Sequence, residues 1–141
     1  MRPVLTEEEE ALLVDAIRAE ELRTSAEIRV CVTYKLIWRH ERYAWNVFDR
    51  AGMRDTRQRN GVLIVMMPTV KKVVIIGDTG INAVVPEDFW KETVAAIIRE
   101  LHESNALDAL REGLRRLGDT LSIHWPREGD DVNELSDEIL S

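Results

Sequence analysis

Two short apolar runs with a brief link between them constrain the fold of this chain more than any other feature. The sequence predicts strands at Val62 to Met67 and at Lys71 to Ile76, separated by a few residues of turn. A link this short favours an antiparallel pair, because parallel strands need a long crossover connection. The second run ends in Gly77-Asp78-Thr79-Gly80, where a carboxylate stands between two glycines. Such a loop is either a tight turn with a polar tip or a place for chemistry.

Helical and strand patterns on both sides of this hairpin indicate the rest of the fold. Thr6 to Glu9 fits a helix capping box, and an alternating apolar pattern predicts a strand at 26–34. Apolar residues at helical spacing predict four helices, at 7–22, 39–51, from Pro86 through Leu101, and after Asn105 through Leu121. This order predicts an α/β protein, a three-layer α/β/α sandwich with a small mixed central sheet flanked by helices on both faces.

Length and composition place the chain among globular proteins of one domain. It has 141 residues, 45% of them hydrophobic and 32% charged, which is enough to bury a core. We expect a single domain over residues 1–126 and an irregular tail over 127–141, where six acidic residues accompany one arginine. Leu135 and Ile139 are candidates to attach this tail to the body.

The charge of the chain limits the classes of partner. A net charge of −7 argues against nucleic acid and against an acidic membrane surface, and it favours a cation or a basic partner. The single cysteine, Cys31, excludes an internal disulfide and a cysteine metal site, and a small buried core residue is its ordinary role. The longest uninterrupted apolar run falls far short of the roughly 20 residues that span a bilayer. No leader is visible, so we expect a soluble cytoplasmic monomer without membrane insertion.

Four ordered segments carry a resemblance to a known family. The chain is similar to the TPM domain family, also called the TPM phosphatase family, at Thr24 to Arg29, at Phe48 with Gly52-Met53 and Thr56, at Arg59 to Ile64, and at Ile75 to Ile81. The late Asn133-Glu134-Leu135 with Asp137 resembles the end of its short soluble bacterial members. The resemblance covers roughly Leu5 to Asp137.

The resemblance implies a fold and two functions. It implies an α/β sandwich, in agreement with the patterns above, and a site for a divalent cation, mainly calcium, in loops at one end of the sheet. It also implies an acid phosphatase activity, which has been assigned to plant thylakoid members. Many members carry a signal peptide and a membrane anchor; neither is visible in this sequence, so the envelope and thylakoid roles do not transfer easily. We expect a protein partner and count membrane-associated proteins among the candidates.

Four residues are candidate metal ligands: Asp78, Asp55, Glu27 and Asn82. Loops that follow buried strands gather at one edge of a sheet, and the glycines around Asp78 allow its backbone to approach a ligand. Carboxylate and amide oxygens suit calcium, which takes about six to eight oxygen ligands, so this small set predicts weak binding. The alternative for Asp78 is an Asx turn, and for Asp55 it is a surface ion pair with a neighbouring arginine or a loop turn. For Glu27 the alternatives are a pair with Arg29 and a helix cap.

An arginine-rich loop suggests a second function. Arg54, Arg57 and Arg59 could hold a phosphate, because guanidinium groups bind oxyanions through paired hydrogen bonds. A solvated loop is the ordinary alternative. No nucleophile signature accompanies these arginines, so the residues favour a calcium-binding interaction module without turnover. A metal-assisted phosphomonoesterase of low activity is the alternative. Trp38 and Trp45 could mark a partner surface, although core packing is more usual for tryptophan.

Overall fold

The computed structural model describes residues 5–127 and 138–141. In chain order the helices are α1 (Glu7–Glu21), α2 (His40–Arg50), the single-turn α3 (Thr79–Asn82), α4 (Glu87–Glu103) and α5 (Ala106–His124). The strands are β1 (Glu27–Val32), β2 (Gly61–Met67) and β3 (Lys72–Gly77), and short 3₁₀ turns lie at Met53–Asp55 and Pro68–Val70. The predicted strands and four long helices are confirmed with small shifts at their ends, whereas α3 was not predicted.

The sheet has the mixed topology that the hairpin predicts. Its order is β1-β2-β3, with β1 parallel and β3 antiparallel to the central β2. The register pairs Glu27 with Gly61 across the first interface and Val62 with Gly77 across the second. The start of β1, the start of β2 and the end of β3 therefore lie together at one end of the sheet.

Helices cover both faces of the sheet and bury β2 completely. All seven residues of β2 are buried. Ile64 on one face belongs to the larger apolar cluster, which includes Leu13 of α1, Ile97 of α4 and Leu114 of α5. On the opposite face, Leu63, Val65 and Met67 pack against Ala44, Val47 and Phe48 of α2. This arrangement is the three-layer α/β/α sandwich that the sequence predicts.

The capping box predicted at Thr6 forms as expected. The Thr6 hydroxyl accepts a hydrogen bond from the Glu9 N–H at 3.1 Å, and the Glu9 carboxylate accepts one from the Thr6 N–H at 3.1 Å. No helix among residues 5–127 and 138–141 is both long and apolar enough to cross a lipid bilayer.

A segment near the C-terminus covers the outer edge of β1. The Leu140 N–H donates to the Val30 carbonyl at 2.8 Å, and the Val32 N–H donates to the Leu140 carbonyl at 2.9 Å. Ile139 packs against the larger cluster, so it attaches this segment as predicted. Leu135 and the rest of the predicted tail between 128 and 137 lie outside the described residues, and the predicted limit of the domain at 126 stays a prediction.

We expect Leu140→Pro to open this edge. Proline has no N–H, so the Val30 carbonyl loses its hydrogen bond, which contributes about 1 kcal/mol. Amide hydrogen exchange should become faster at Val32, whose N–H belongs to the same pairing, while amides of β2 keep their protection. An exchange rate at Val32 that equals the wild-type rate would show that the Leu140 pairing contributes nothing to the edge.

Candidate functional site

The end of the sheet that carries Asp78 is built by main-chain hydrogen bonds between the three strand ends. The Asp78 N–H donates to the Gly61 carbonyl at 3.0 Å, and the Glu27 N–H donates to the Asn60 carbonyl at 3.3 Å. The first bond joins the residue after β3 to the start of β2. The second joins the start of β1 to the loop before β2. The structure therefore places Asp78 and the main chain of Glu27 at the same end of the sheet.

Asp78 is a buried carboxylate that is held by an arginine. Its side chain is 0% exposed, whereas that of Arg59 is 43% exposed. Arg59 Nε donates to Asp78 Oδ2 at 2.8 Å and Arg59 Nη2 donates to Asp78 Oδ1 at 2.9 Å, a bidentate pair of the strong, charge-assisted kind. The hydrogen bonds to Asp78 and its negative charge raise the pKa of Arg59, and Asp55 adds a smaller effect in the same direction.

The same carboxylate also begins helix α3. Asp78 is the N-cap of this helix, and its Oδ1 accepts a hydrogen bond from the Thr79 N–H at 2.7 Å. Capping of this kind satisfies one of the N–H groups that a helix start leaves without a partner. Both oxygens of Asp78 thus accept hydrogen bonds. Oδ2 accepts one from Arg59, and Oδ1 accepts one from Arg59 and one from the Thr79 N–H.

The loop before β2 is shaped to bring Arg59 to this position. Arg59 has a left-handed backbone, with φ of 51°, and its N–H donates to the Thr56 carbonyl at 3.2 Å. The buried Thr56 hydroxyl accepts a hydrogen bond from the Asn60 N–H at 3.1 Å. Gly80 packs directly on this loop, since its N–H donates to the Arg59 carbonyl at 2.9 Å. A Cβ at Gly80 would lie 2.7 Å from that carbonyl oxygen, so only glycine allows the approach.

The other three candidate ligands have different surroundings. Glu27 is 4% exposed and is the first residue of β1. Asp55 is exposed at the end of the 3₁₀ turn and acts on the site through its charge near Arg59. The Asn82 side chain amide donates to the Gly77 carbonyl at 2.8 Å, so it closes the turn after β3.

These surroundings give a plain test of fit for a metal ion. Among residues 5–127 and 138–141, no three side chains of the histidine, cysteine, aspartate and glutamate types lie close enough together to hold a metal. Asp78 is already neutralised by Arg59, so the side chains in this arrangement do not fit a divalent cation. The metal prediction for Asp78, Asp55, Glu27 and Asn82 stays a prediction, and it requires Arg59 to move.

The three arginines of the phosphate prediction are not gathered at one point. Arg59 binds Asp78, whereas Arg54 Nε donates to Asp49 at 2.5 Å. The Arg54 guanidinium also lies 5.0 Å from the centre of the Trp45 ring. Arg57 is exposed in the loop between them. Only Arg59 lies at the end of the sheet beside Asp78.

Cys31 lies in the core, Trp45 is half-buried and Trp38 lies on the surface. Cys31 is buried, and burial raises the pKa of its thiol, which is the opposite of the shift that activates a nucleophile. Trp45 is half-buried, and its ring packs edge-on to Phe48. Trp38 is 93% exposed, in agreement with a surface role.

The pairing of Arg59 with Asp78 is the feature of this site that the sequence prediction missed. Both residues were singled out, but for two different functions. The signal was present, because the residues just before β2 and just after β3 must lie side by side in an antiparallel pair. The register that pairs Val62 with Gly77 brings Arg59 and Asp78 together in this way.

Comparisons with known proteins agree with this architecture. The sequence model of the TPM domain matches residues 2–120. The structure of the BA42 protein from the psychrophilic bacterium Bizionia argentinensis is similar with a TM-score of 0.92 and 38% identity, covering 99% of this chain and 97% of that one. No protein in the curated set matches.

Two more distant structures share the fold. The N-terminal domain of a protein from P. gingivalis is similar with a TM-score of 0.68 and 16% identity, covering 89% of this chain and 82% of that one. The N-terminal domain of the cg2496 protein from Corynebacterium glutamicum is similar with a TM-score of 0.57 and 11% identity, covering 97% of this chain and 80% of that one.

These findings settle the class and the family. The layers and topology define a mixed α/β sandwich with an aspartate-bearing loop at one end of its sheet. The chain belongs to the TPM domain family, as the resemblance in its sequence indicates.

The unequal exposure of Arg59 and Asp78 predicts unequal effects of mutation. Arg59→Met should destabilise the fold more than Asp78→Asn, because it leaves a fully buried carboxylate without its cation. An unsatisfied buried group of this kind costs about 1–3 kcal/mol. Asp78→Asn leaves Arg59 in contact with water and keeps an oxygen to cap α3. Urea denaturation of both variants measures this order.

The double variant Arg59→Met with Asp78→Asn provides the control for this order. It should be more stable than Arg59→Met alone, because the buried charge is gone. Equal losses in the two single variants, with additive loss in the double variant, would show that the pair is not coupled.

Proposed function

We propose that this chain is a binding module of the TPM family in which a divalent cation, calcium in the first place, competes with Arg59 for the Asp78 carboxylate. The observation that carries the proposal is the bidentate Arg59–Asp78 pair at the end of the sheet. A guanidinium fills the position that a cation would need, so cation binding requires this ion pair to open.

The two partners differ in how easily they can move. Asp78 is fixed by burial and by its role as the cap of α3. Arg59 is a long side chain that is 43% exposed, so its charged head can move into water while its stem stays in place. Asp55 lies close enough for its charge to act on Arg59, which supports a second carboxylate near an incoming cation. Calcium accepts main-chain and water oxygens to complete its shell, so such a site binds weakly.

We expect Arg59→Gln to bind calcium more tightly than the wild-type protein. Removing the competing cation frees Asp78 Oδ2 and leaves Oδ1 with only its bond from the Thr79 N–H, and the gain should be about tenfold or more, which corresponds to about 1.4 kcal/mol. Calcium titration followed by ¹H–¹⁵N NMR should shift the amides of 77–82 and of 53–61. Asp78→Asn should abolish these shifts in both backgrounds.

Arg57→Gln is the matched control for this titration. It removes the same charge from the same loop at a side chain that does not bind Asp78, so it reports how net charge in this loop affects calcium affinity. Equal calcium affinities in Arg57→Gln and Arg59→Gln would contradict competition at Asp78. Shifts confined to 128–137 would place binding in the acidic tail and exclude the site at the end of the sheet.

A metal-assisted phosphomonoesterase is the second candidate function. The observation in its favour is that Asp78 orients a guanidinium that is partly exposed at the end of the sheet, where it could hold a phosphate. Against it, Arg54 is engaged by Asp49 and Trp45, so the arginines do not form a common anion site. We therefore place this activity second to binding.

We expect no turnover of p-nitrophenyl phosphate at acidic or neutral pH that depends on Asp78 or Arg59. The measurement compares wild type, Asp78→Asn and Arg59→Gln, each purified in the same way, with and without calcium or magnesium. Turnover that falls by orders of magnitude in both variants would establish the phosphatase and make it the first candidate function, ahead of cation binding.

A further inference from the structure

The outer edge of β3 presents main-chain groups that no described strand covers. Within residues 5–127 and 138–141 the sheet ends at β3. Residues of an antiparallel strand point their N–H and C=O groups alternately to one side and the other. The Asp78 N–H points to Gly61 of β2. The main-chain N–H and C=O groups of Gly77, Ile75 and Val73 therefore point away from β2, to the outer side of the sheet. The Asn82 amide that donates to the Gly77 carbonyl agrees with this direction and closes one end of the edge.

This edge lies at the bottom of a groove between α2 and α4. The two helices pack on opposite faces of the sheet, and residues of both line the space along β3. Two adjoining cavities of about 570 and 530 Å³ follow the edge and share Glu41, Ile75, Ile76 and Val94. A strand that lay in this groove would pair with β3 and would have a helix on each of its faces.

Charged side chains line the groove along its length. Beside Gly77 it is lined by Glu87, Lys91 and Trp90, and Glu41 lines both cavities where they adjoin. Beside Val73 it is lined by Arg39 and Arg42. Carboxylates next to tryptophan rings favour a lysine or arginine side chain, because both groups attract a cation. Together with the net charge of −7, this end favours a basic residue of a partner.

The opposite edge of the sheet shows that this sandwich accepts a single extended segment. Leu140 pairs with Val30 and Val32 through two main-chain hydrogen bonds, and its side chain packs in the smaller cluster with α2. A single residue of the described segment 138–141 therefore pairs with β1, and none of these four residues lies in a helix. The β3 edge offers the same main-chain groups with more helical cover.

The helices on both sides of β3 limit what can pair with its edge. A second copy of this chain carries α2 and α4 on both sides of its own β3, so its edge cannot enter the groove without a collision between helices. A single extended peptide has no such layers. We propose that the β3 edge binds an extended segment of a partner protein as a fourth strand, with apolar side chains at alternating positions and a basic side chain beside Glu41, Glu87 and Trp90.

This proposal does not use the Asp78 carboxylate, so it can fail or succeed apart from the cation site. Its probe is a synthetic nine-residue peptide that alternates valine and threonine, blocked at both ends, with one lysine at its amino end. A second peptide carries the lysine at its carboxyl end, because either strand direction can pair with an edge. We expect one of the two to bind full-length protein with a Kd below about 1 mM.

Amide hydrogen exchange with the peptide bound tests the pairing residue by residue. The outward amides of Val73 and Ile75 should gain at least about tenfold protection, as expected for main-chain pairing. The amides of Val74 and Ile76 already point to β2, so their exchange should change little. Protection without this alternation, or no protection at saturating peptide, would overturn the proposal.

Variants test the hydrogen bonds and the charge separately. Ile75→Pro removes an outward N–H while the β2 pairing stays intact, since edge positions tolerate proline, and it should abolish peptide binding. Glu41→Gln should raise the Kd of the lysine peptide about threefold. It should leave unchanged the Kd of a peptide in which uncharged norleucine replaces the lysine. Glu103→Gln, an exposed acid at the far end of α4, is the matched control and should change neither.

Amide hydrogen exchange of the protein without peptide distinguishes a partner protein from a second copy of this chain as the occupant of the groove. If Val73 and Ile75 become protected as the protein concentration rises, without peptide, and the mass in solution doubles, the occupant is a second copy and the proposal is wrong. Equal weakening by Glu41→Gln and Glu103→Gln would also contradict it, because the basic side chain would then respond to net charge and not to this end of the groove.

Discussion

Strand β2 determines the positions of almost everything else in this protein. It is hydrogen-bonded to β1 on one side and β3 on the other, and it is buried on both faces. A shift of its register by one residue would exchange the side chains that face α2 with those that face α4 and α5. The same register brings Arg59, just before β2, beside Asp78, just after β3. The packing of apolar side chains in the core thus places the charged groups at the end of the sheet.

The Arg59–Asp78 pair follows from the cost of a buried charge. A carboxylate that is removed from water needs a cation or several hydrogen-bond donors, and in this protein it has both. Because both oxygens of Asp78 have hydrogen-bond donors, its carboxylate can stay buried at the end of the sheet. The Asp78 carboxylate can still exchange Arg59 for another cation, because the Arg59 side chain is partly exposed to water. The proposed competition needs only one side chain to move, and it leaves the main chain of the loop in place.

The sequence predicted the layers better than the contacts between loops. Apolar spacing identified the long helices, and the short link identified the β2–β3 pair, because both are local patterns. The predicted β2–β3 pair implies that Arg59 lies near Asp78, but the two residues were assigned to different functions and their ion pair was not predicted. An Asx turn at Asp78 was the alternative to metal binding, but its role as a helix cap was not predicted. Helix α3 was missed because one helical turn has too few residues for a periodic pattern. Asn82, chosen for its oxygen, instead uses its amide N–H groups to close a turn.

The two edges of the sheet face the same physical problem and have different surroundings. An edge strand exposes main-chain groups that can pair with other chains, and proteins commonly protect such edges. The β1 edge is covered by residues close to Leu140. The β3 edge lies between two helices, which exclude another sheet and admit a single strand. Its wall carries apolar side chains together with the Glu41 and Glu87 carboxylates and Trp90, and protection from aggregation would not require these groups. An edge that is shielded from sheets but lined for one extended chain is better explained by binding a peptide than by avoiding aggregation.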